Sequence, residues 1–190
     1  MSEVVPPHGG IEDLALGSRR DVRGMAALLG ELAPGTHITA VFRADLYGHY
    51  RVAGTITRSD ALDTLVLAGR PLTTGATGVK PADTLVMLER LASPPQADPP
   101  MHVQDTVAAV GHGDLIAAHF DRRPYGCFTV TGFAVAAPPP ARFALGGWLL
   151  TRGDGSVTAG IRAVTLLSPA AEHGAPVPAP IHRWPESGTV

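Results

Sequence analysis

Shifted along itself by 78 residues, this chain matches its own sequence. Gly35–Thr57 falls on Gly113–Val135 without a gap, and eight of the 23 positions are identical. Gly35 meets Gly113, Ile38 meets Ile116, Ala40 meets Ala118 and Phe42 meets Phe120. Tyr47-Gly48 meets Tyr125-Gly126, Val52 meets Val130, Gly54 meets Gly132, and Tyr50 meets Phe128. The offset continues through Leu67/Leu145, Gly69/Gly147 and Leu72/Leu150. Upstream, Met25, Leu29 and Leu32 meet Val103, Val107 and Val110. Kept positions of this kind, apolar, aromatic or glycine, are those with structural reasons to persist, so they point to a tandem duplication of one unit. A unit of ~60 residues buries little core alone, so the copies are expected to pack on each other or on another chain.

The pattern within each copy is that of strands. Ile38, Ala40 and Phe42 alternate with His37, Thr39, Val41 and Arg43; Tyr50, Val52, Gly54 and Ile56 alternate with Arg51, Ala53, Thr55 and Thr57. A period of two sends one set to the core face of a sheet. Residues 45–48 (Asp-Leu-Tyr-Gly) read as the hairpin connection, with Gly48 free to take positive φ. Gly54, within the inward series, marks an expected bulge or bend. Thr64–Leu72 reads as a third strand and Thr84–Leu91 as a fourth, although Leu85, Leu88 and Leu91 also fit a short helix over Ala82–Leu91. The second copy repeats the plan near Leu115–Asp121, Cys127–Val135, Arg142–Thr151 and Val157–Leu167, with Gly153-Asp154-Gly155 as a turn. The expected fold is all-β: two antiparallel meanders of about four strands each, forming paired small barrels or one joined sandwich.

The divisions follow from composition. Residues 1–18 are expected to be disordered. Residues 19–94 form the first repeat, opened by an amphipathic helix over Arg19–Leu32. Residues 95–101 lie in a Pro-rich linker, 102–168 form the second repeat, and 169–190 are a Pro-rich tail expected to be extended or disordered. Apolar residues make up 45% of the chain and charged ones 17%, with a formal net charge of −2, so no global field draws it to nucleic acid or an anionic membrane. Cys127 is the one cysteine, which forbids an intrachain disulfide and suits a reducing cytoplasm. The first residues carry no secretory-signal pattern, and no apolar run approaches the ~20 residues of a membrane span. Lys80 stands alone among basic residues that are otherwise arginine, a bias expected of a GC-rich bacterial genome.

Few residues suggest chemistry. His102, His112 and His119 cluster in sequence but without a zinc spacing, so no metal is expected. Cys127 with His119 and Asp121 has the residue types of a nucleophile and its base, but a small strand residue beside a turn is the simpler reading. No phosphate-binding or hydrolase motif occurs, and no cofactor or catalytic residue is assigned. Candidate binding residues are Tyr47 and Tyr125 at equivalent hairpin tips, and Arg51, Arg122 and Arg123 on or beside the first two strands of each copy. Phe133 is added because, with Val135, it replaces Thr55 and Thr57 on the outward face. Trp148 is added from the apolar stretch Phe143–Leu150.

The runs Gly-Thr-His-Ile-Thr-Ala-Val-Phe, Tyr-Arg-Val-Ala-Gly-Thr-Ile and Leu-Val-Leu-Ala-Gly (35–42, 50–56 and 65–69) resemble those of small SH3-like or Sm-like barrels. The resemblance covers about 40 residues per copy and implies a small barrel; it carries no function across. The leading expectation is a non-catalytic binding or assembly module that recognises a protein partner or self-associates. Nucleic-acid binding through the barrel surface comes next, then a small-molecule site between the repeats.

Overall fold

The computed structural model describes residues 21–74, 80–96 and 103–184. The expected disorder of residues 1–18 lies outside them, as do His102 and most of the linker. The first repeat opens with α1 (Val22–Gly30), capped by Asp21, whose side chain accepts the Gly24 N–H at 2.9 Å, and anchored by buried Met25 and Leu29. Its strands are β1 (His37–Ala44), β2 (Gly48–Ser59), β3 (Thr64–Leu67), β4 (Arg70–Pro71) and β5 (Leu85–Arg90). The second repeat has α2 (Val103–Ala109), β6 (Leu115–Arg122), β7 (Gly126–Phe133), β8 (Val135–Ala136), β9 (Phe143–Leu145), β10 (Trp148–Leu149) and β11 (Ile161–Ser168). A single turn of helix, α3 (Ala170–His173), leads into the tail. The chain is mainly β and its sheets are antiparallel.

The third strand of each copy is not one strand but a tight hairpin. Ala68 and Gly69 both have positive φ (50° and 81°), and so do Gly146 and Gly147 (55° and 94°). Two successive residues in that region make the two-residue turn that suits the twist of paired strands, which splits Thr64–Leu72 into β3 and β4. The alternative of a helix over Ala82–Leu91 gives way to β5, whose hydrogen bonds to β1 satisfy its backbone.

The expectation of small closed barrels is not met. Strands run in the order β11-β6-β7-β2-β1-β5 in one open sheet, with β3 and β4 continuing from β2, and β8, β9 and β10 form a second, three-stranded sheet. The two repeats are joined edge to edge through β2 and β7. There Val52 pairs with Val130, its own counterpart, and Arg51↔Thr131 and Ala53↔Thr129 fall symmetrically about that pair. The pairing is self-consistent under exchange of the halves, as at a twofold axis. The hairpin pairings repeat as well. β1·β2 sets His37 against Thr55, and β6·β7 sets Leu115 against Phe133. β2·β3 sets Ile56 against Leu67, and β8·β9 sets Ala134's neighbour Val135 against Ala144 in the same register. Past the second turn the register slips: Thr73 bridges Pro81 but Thr151 bridges Val157, and Ala40 pairs with Leu88 but Ala118 with Val164, each two residues short of the common offset.

The glycines in the inward series are explained at this seam. Gly54 lies opposite Phe128, and a Cβ there would sit 2.9 Å from Phe128 Cβ; at Gly132 it would sit 3.0 Å from Tyr50 Cβ. Each half therefore keeps a glycine where the other half's aromatic crosses. Just beyond Gly54, β2 leaves β7 and pairs with β3, so the expected change of direction also falls here. Phe42 stacks on Tyr50 (5.6 Å between ring centres) and Phe120 on Phe128 (5.1 Å), and Trp148 lies within 6.3 Å of Tyr50, Phe120 and Phe128.

The outward face of the second repeat is covered by the chain's own tail. Leu115, Phe133 and Val135 bury against Ile181, with Val177, Ala175 and Trp184 alongside. The Ile181 N–H donates to Ala136 O at 2.8 Å, and the Trp184 indole N–H reaches the carbonyls of Pro138 and Pro139. Phe133 is thus removed from water by the chain's own tail. In the first repeat the same positions hold His37, Thr55 and Thr57, with His37 Nδ1 and Thr55 Oγ1 2.9 Å apart.

Two stability measurements follow. In urea denaturation, Gly54→Val should lower stability by about 1–3 kcal/mol through overpacking, whereas Gly30→Ala, where a Cβ meets nothing within 4 Å, should be neutral or slightly stabilising. Ile181→Ala should cost about 2–5 kcal/mol if the tail is part of the core; a negligible loss would mean it is not.

Candidate binding cleft

The tips of the two β-hairpins cross over to the opposite repeat. Tyr125 covers Gly69, where a Cβ would lie 2.8 Å from its ring, and Tyr47 covers Gly147, where a Cβ would lie 3.5 Å from Cε2. Positive φ at both turns, the Tyr125 ring over Gly69 and the Arg70 guanidinium against Gly147 thus demand glycine. Both tyrosines are half-buried. Burial raises the Tyr47 hydroxyl above its ordinary pKa, opposed in part by the Arg70 guanidinium. The tyrosines therefore clamp the two halves together rather than standing free at the tips.

Beside Tyr125 opens a cleft of about 360 Å³, lined by Asp121, Arg122, Arg123, Tyr125 and Trp148 with the backbone at Ala159 and Gly160. Trp148 forms its buried wall. Arg70 stacks on the indole, with its guanidinium carbon 4.7 Å from the ring centre, and donates to Gly146 O at 2.7 Å. Asp121 is engaged by Arg162 at 2.9 Å. Arg122 lies over Phe120, 5.8 Å from the ring centre, with Nε 3.4 Å from Ala159 O. Among the described residues neither Arg122 nor Arg123 has a carboxylate partner, and Arg123 is exposed.

Four of the seven candidate binding residues thus meet in one place: Arg122, Arg123, Tyr125 and Trp148. Tyr47 lies against the opposite turn, Phe133 is under the tail, and Arg51 is buried on the outward face of β2, opposite Thr131. Arg70 was not singled out from the sequence. The repeat nonetheless carried a signal, because Arg70 and Trp148 are counterparts, and counterparts near a twofold axis are brought together. Cleft residues differ between the halves: where the second has Asp121, Arg122, Arg123 and Trp148, the first has Arg43, Ala44, Asp45 and Arg70.

The Cys127 arrangement does not assemble. Cys127 is exposed and pairs in register with Asp121, but His119 Nδ1 lies 3.0 Å from Thr129 Oγ1 and the Asp121 carboxylate faces Arg162. Among the described residues no three His, Cys, Asp or Glu side chains gather as metal ligands, and no helix is long and apolar enough to cross a membrane. What the cleft offers chemically is two guanidinium groups beside aromatic surface, a combination suited to planar anions. No family of known proteins, curated protein or solved structure matches the chain.

Arg70→Ala should change the near-ultraviolet circular dichroism of Trp148 and lower stability by about 1–2 kcal/mol, the range of a partly desolvated cation–π contact. Arg70→Lys should not restore the spectrum. Burial lowers the His119 pKa below its ordinary value, with Asp121 opposing. The folded state therefore binds that proton less readily than the unfolded chain. Its contribution is complete above the unfolded pKa and is lost as pH falls through that value toward the folded one. Denaturation between about pH 8 and pH 5 should show a stability loss that His119→Gln reduces.

Proposed function

We propose that the protein is a non-catalytic recognition module, built by tandem duplication of a small unit related in pattern to SH3-like or Sm-like barrels. Its second half has specialised to bind a protein partner. The repeated registers support the duplication. So do the paired positive-φ positions: Gly35 and Gly113 (92° and 88°), Gly48 and Gly126 (65° and 70°), and the two β-turns above. Duplicated halves held across one seam form a rigid platform, and rigidity lowers the entropy lost when a partner docks.

The observation that carries the reading is the local break in symmetry. Around the seam the two halves pair in the same register, yet at the cleft Arg43, Ala44 and Asp45 give way to Asp121, Arg122 and Arg123. The second half therefore presents two adjacent arginines beside Tyr125 and Trp148 in one solvent-accessible cleft. Arginine beside tyrosine and tryptophan is also the composition that dominates the energetics of protein interfaces.

The test is crosslinking in the producing organism, followed by purification of the tagged protein. The expected result is a protein partner crosslinked to residues 122–125 and lost from the Arg122→Ala/Arg123→Ala double variant, which remains folded because these side chains are not in the core. A monomer that carries a bound small molecule and no protein at this cleft would contradict it.

A further inference from the structure

The chemistry of the cleft narrows what it can hold. Two arginines adjacent in sequence, Arg122 half-buried and Arg123 exposed, sit at its edge without a carboxylate partner among the described residues. Asp121, the acidic group on the cleft wall, is already occupied by Arg162. Arg70 is not part of the lining; it stacks on Trp148 and donates to Gly146 O, which holds the indole wall in place. The aromatic surfaces of Tyr125 and Trp148 lie within the same 360 Å³ opening.

Resting on the recognition-module reading, we infer that this cleft binds an acidic segment of the partner protein: a carboxylate in the fork of Arg122 and Arg123, with a neighbouring apolar or aromatic side chain against Tyr125. A carboxylate is planar and accepts two parallel N–H bonds, which the guanidinium fork supplies. The volume suits one or two side chains rather than a folded domain. A nucleic-acid backbone is the less suitable occupant. It requires positive charge along a track, and here the charge is confined to one point. On one side of it stands Asp121, and the corresponding tip of the other repeat carries Asp45. The chain as a whole is slightly acidic, so attraction must come from the cleft itself.

Fluorescence anisotropy of the full chain tests this with three labelled probes: a short peptide with two glutamates next to a phenylalanine, the same peptide with glutamines, and a single-stranded oligonucleotide of about twelve nucleotides. The expected result is binding of the glutamate peptide, weakened at least about tenfold by the glutamines or by Arg122→Ala/Arg123→Ala. Arg122→Lys/Arg123→Lys keeps the charge but loses the fork, so it should recover only part of the affinity. Weakening by added salt should be shallow, as expected for one or two ionic contacts. Equal binding of the two peptides, or preference for the oligonucleotide, would overturn the assignment. If the peptide fails while the partner still crosslinks at residues 122–125, the ligand class is wrong and the recognition module stands. Loss of both removes the module reading as well.

Discussion

Val52 and Val130 face each other across an antiparallel seam, and each is the other's counterpart. That pairing governs most of the structure. It gives each half the core it lacks alone, because inward residues of both repeats, from Ile38 and Phe42 to Ile116 and Phe120, join a single apolar cluster. It also dictates small residues at particular points. Gly54 and Gly132 admit the aromatics that cross from the opposite half, Gly69 admits the Tyr125 ring, and Gly147 admits the Arg70 guanidinium. Each glycine satisfies a contact with the other repeat, so these positions are constrained by the seam as much as by their own strands.

On this symmetric frame the halves have been finished differently. The first keeps a polar outward edge at His37, Thr55 and Thr57. The second replaces those residues by Leu115, Phe133 and Val135, and its apolar edge is closed by Ile181 and the rest of the tail. Asp114 ties the cover down. Its carboxylate accepts the Gly111 N–H at 2.7 Å and the Ala170 N–H at 2.9 Å, so one side chain fixes both the entry to β6 and the start of α3. His173 continues the attachment, with Nε2 2.9 Å from Gly113 O and its ring 5.3 Å from that of Phe133. Covering this face leaves the arginine cleft at the β6–β7 tip open to solvent.

The alternation of Ile38, Ala40, Phe42, Tyr50 and Val52 made the strands and their buried face legible in the sequence, since side-chain period depends on local geometry alone. The 78-residue offset likewise gave the counterparts. Neither could reveal how the repeats join, because an open edge-to-edge sheet and separate closed barrels use the same inward pattern. The outward face was misjudged for a related reason: Thr39, Val41 and Arg51 read as solvent-facing by alternation yet are buried. Phe133 and Val135 correctly announced a covered face, but the sequence could not distinguish the chain's own tail from another molecule. Cleft membership was half legible. Arg122, Arg123, Tyr125 and Trp148 stood out by residue type, whereas Asp121, Ala159 and Gly160 line the cleft only through the folding of the chain.

The seam itself is open to direct observation. In nuclear Overhauser spectra of the labelled full chain, backbone contacts across the seam should link residues 51–53 with 129–131, centred on Val52 and Val130. Absence of such contacts, or a register displaced from that pair, would show that the two repeats do not share this sheet.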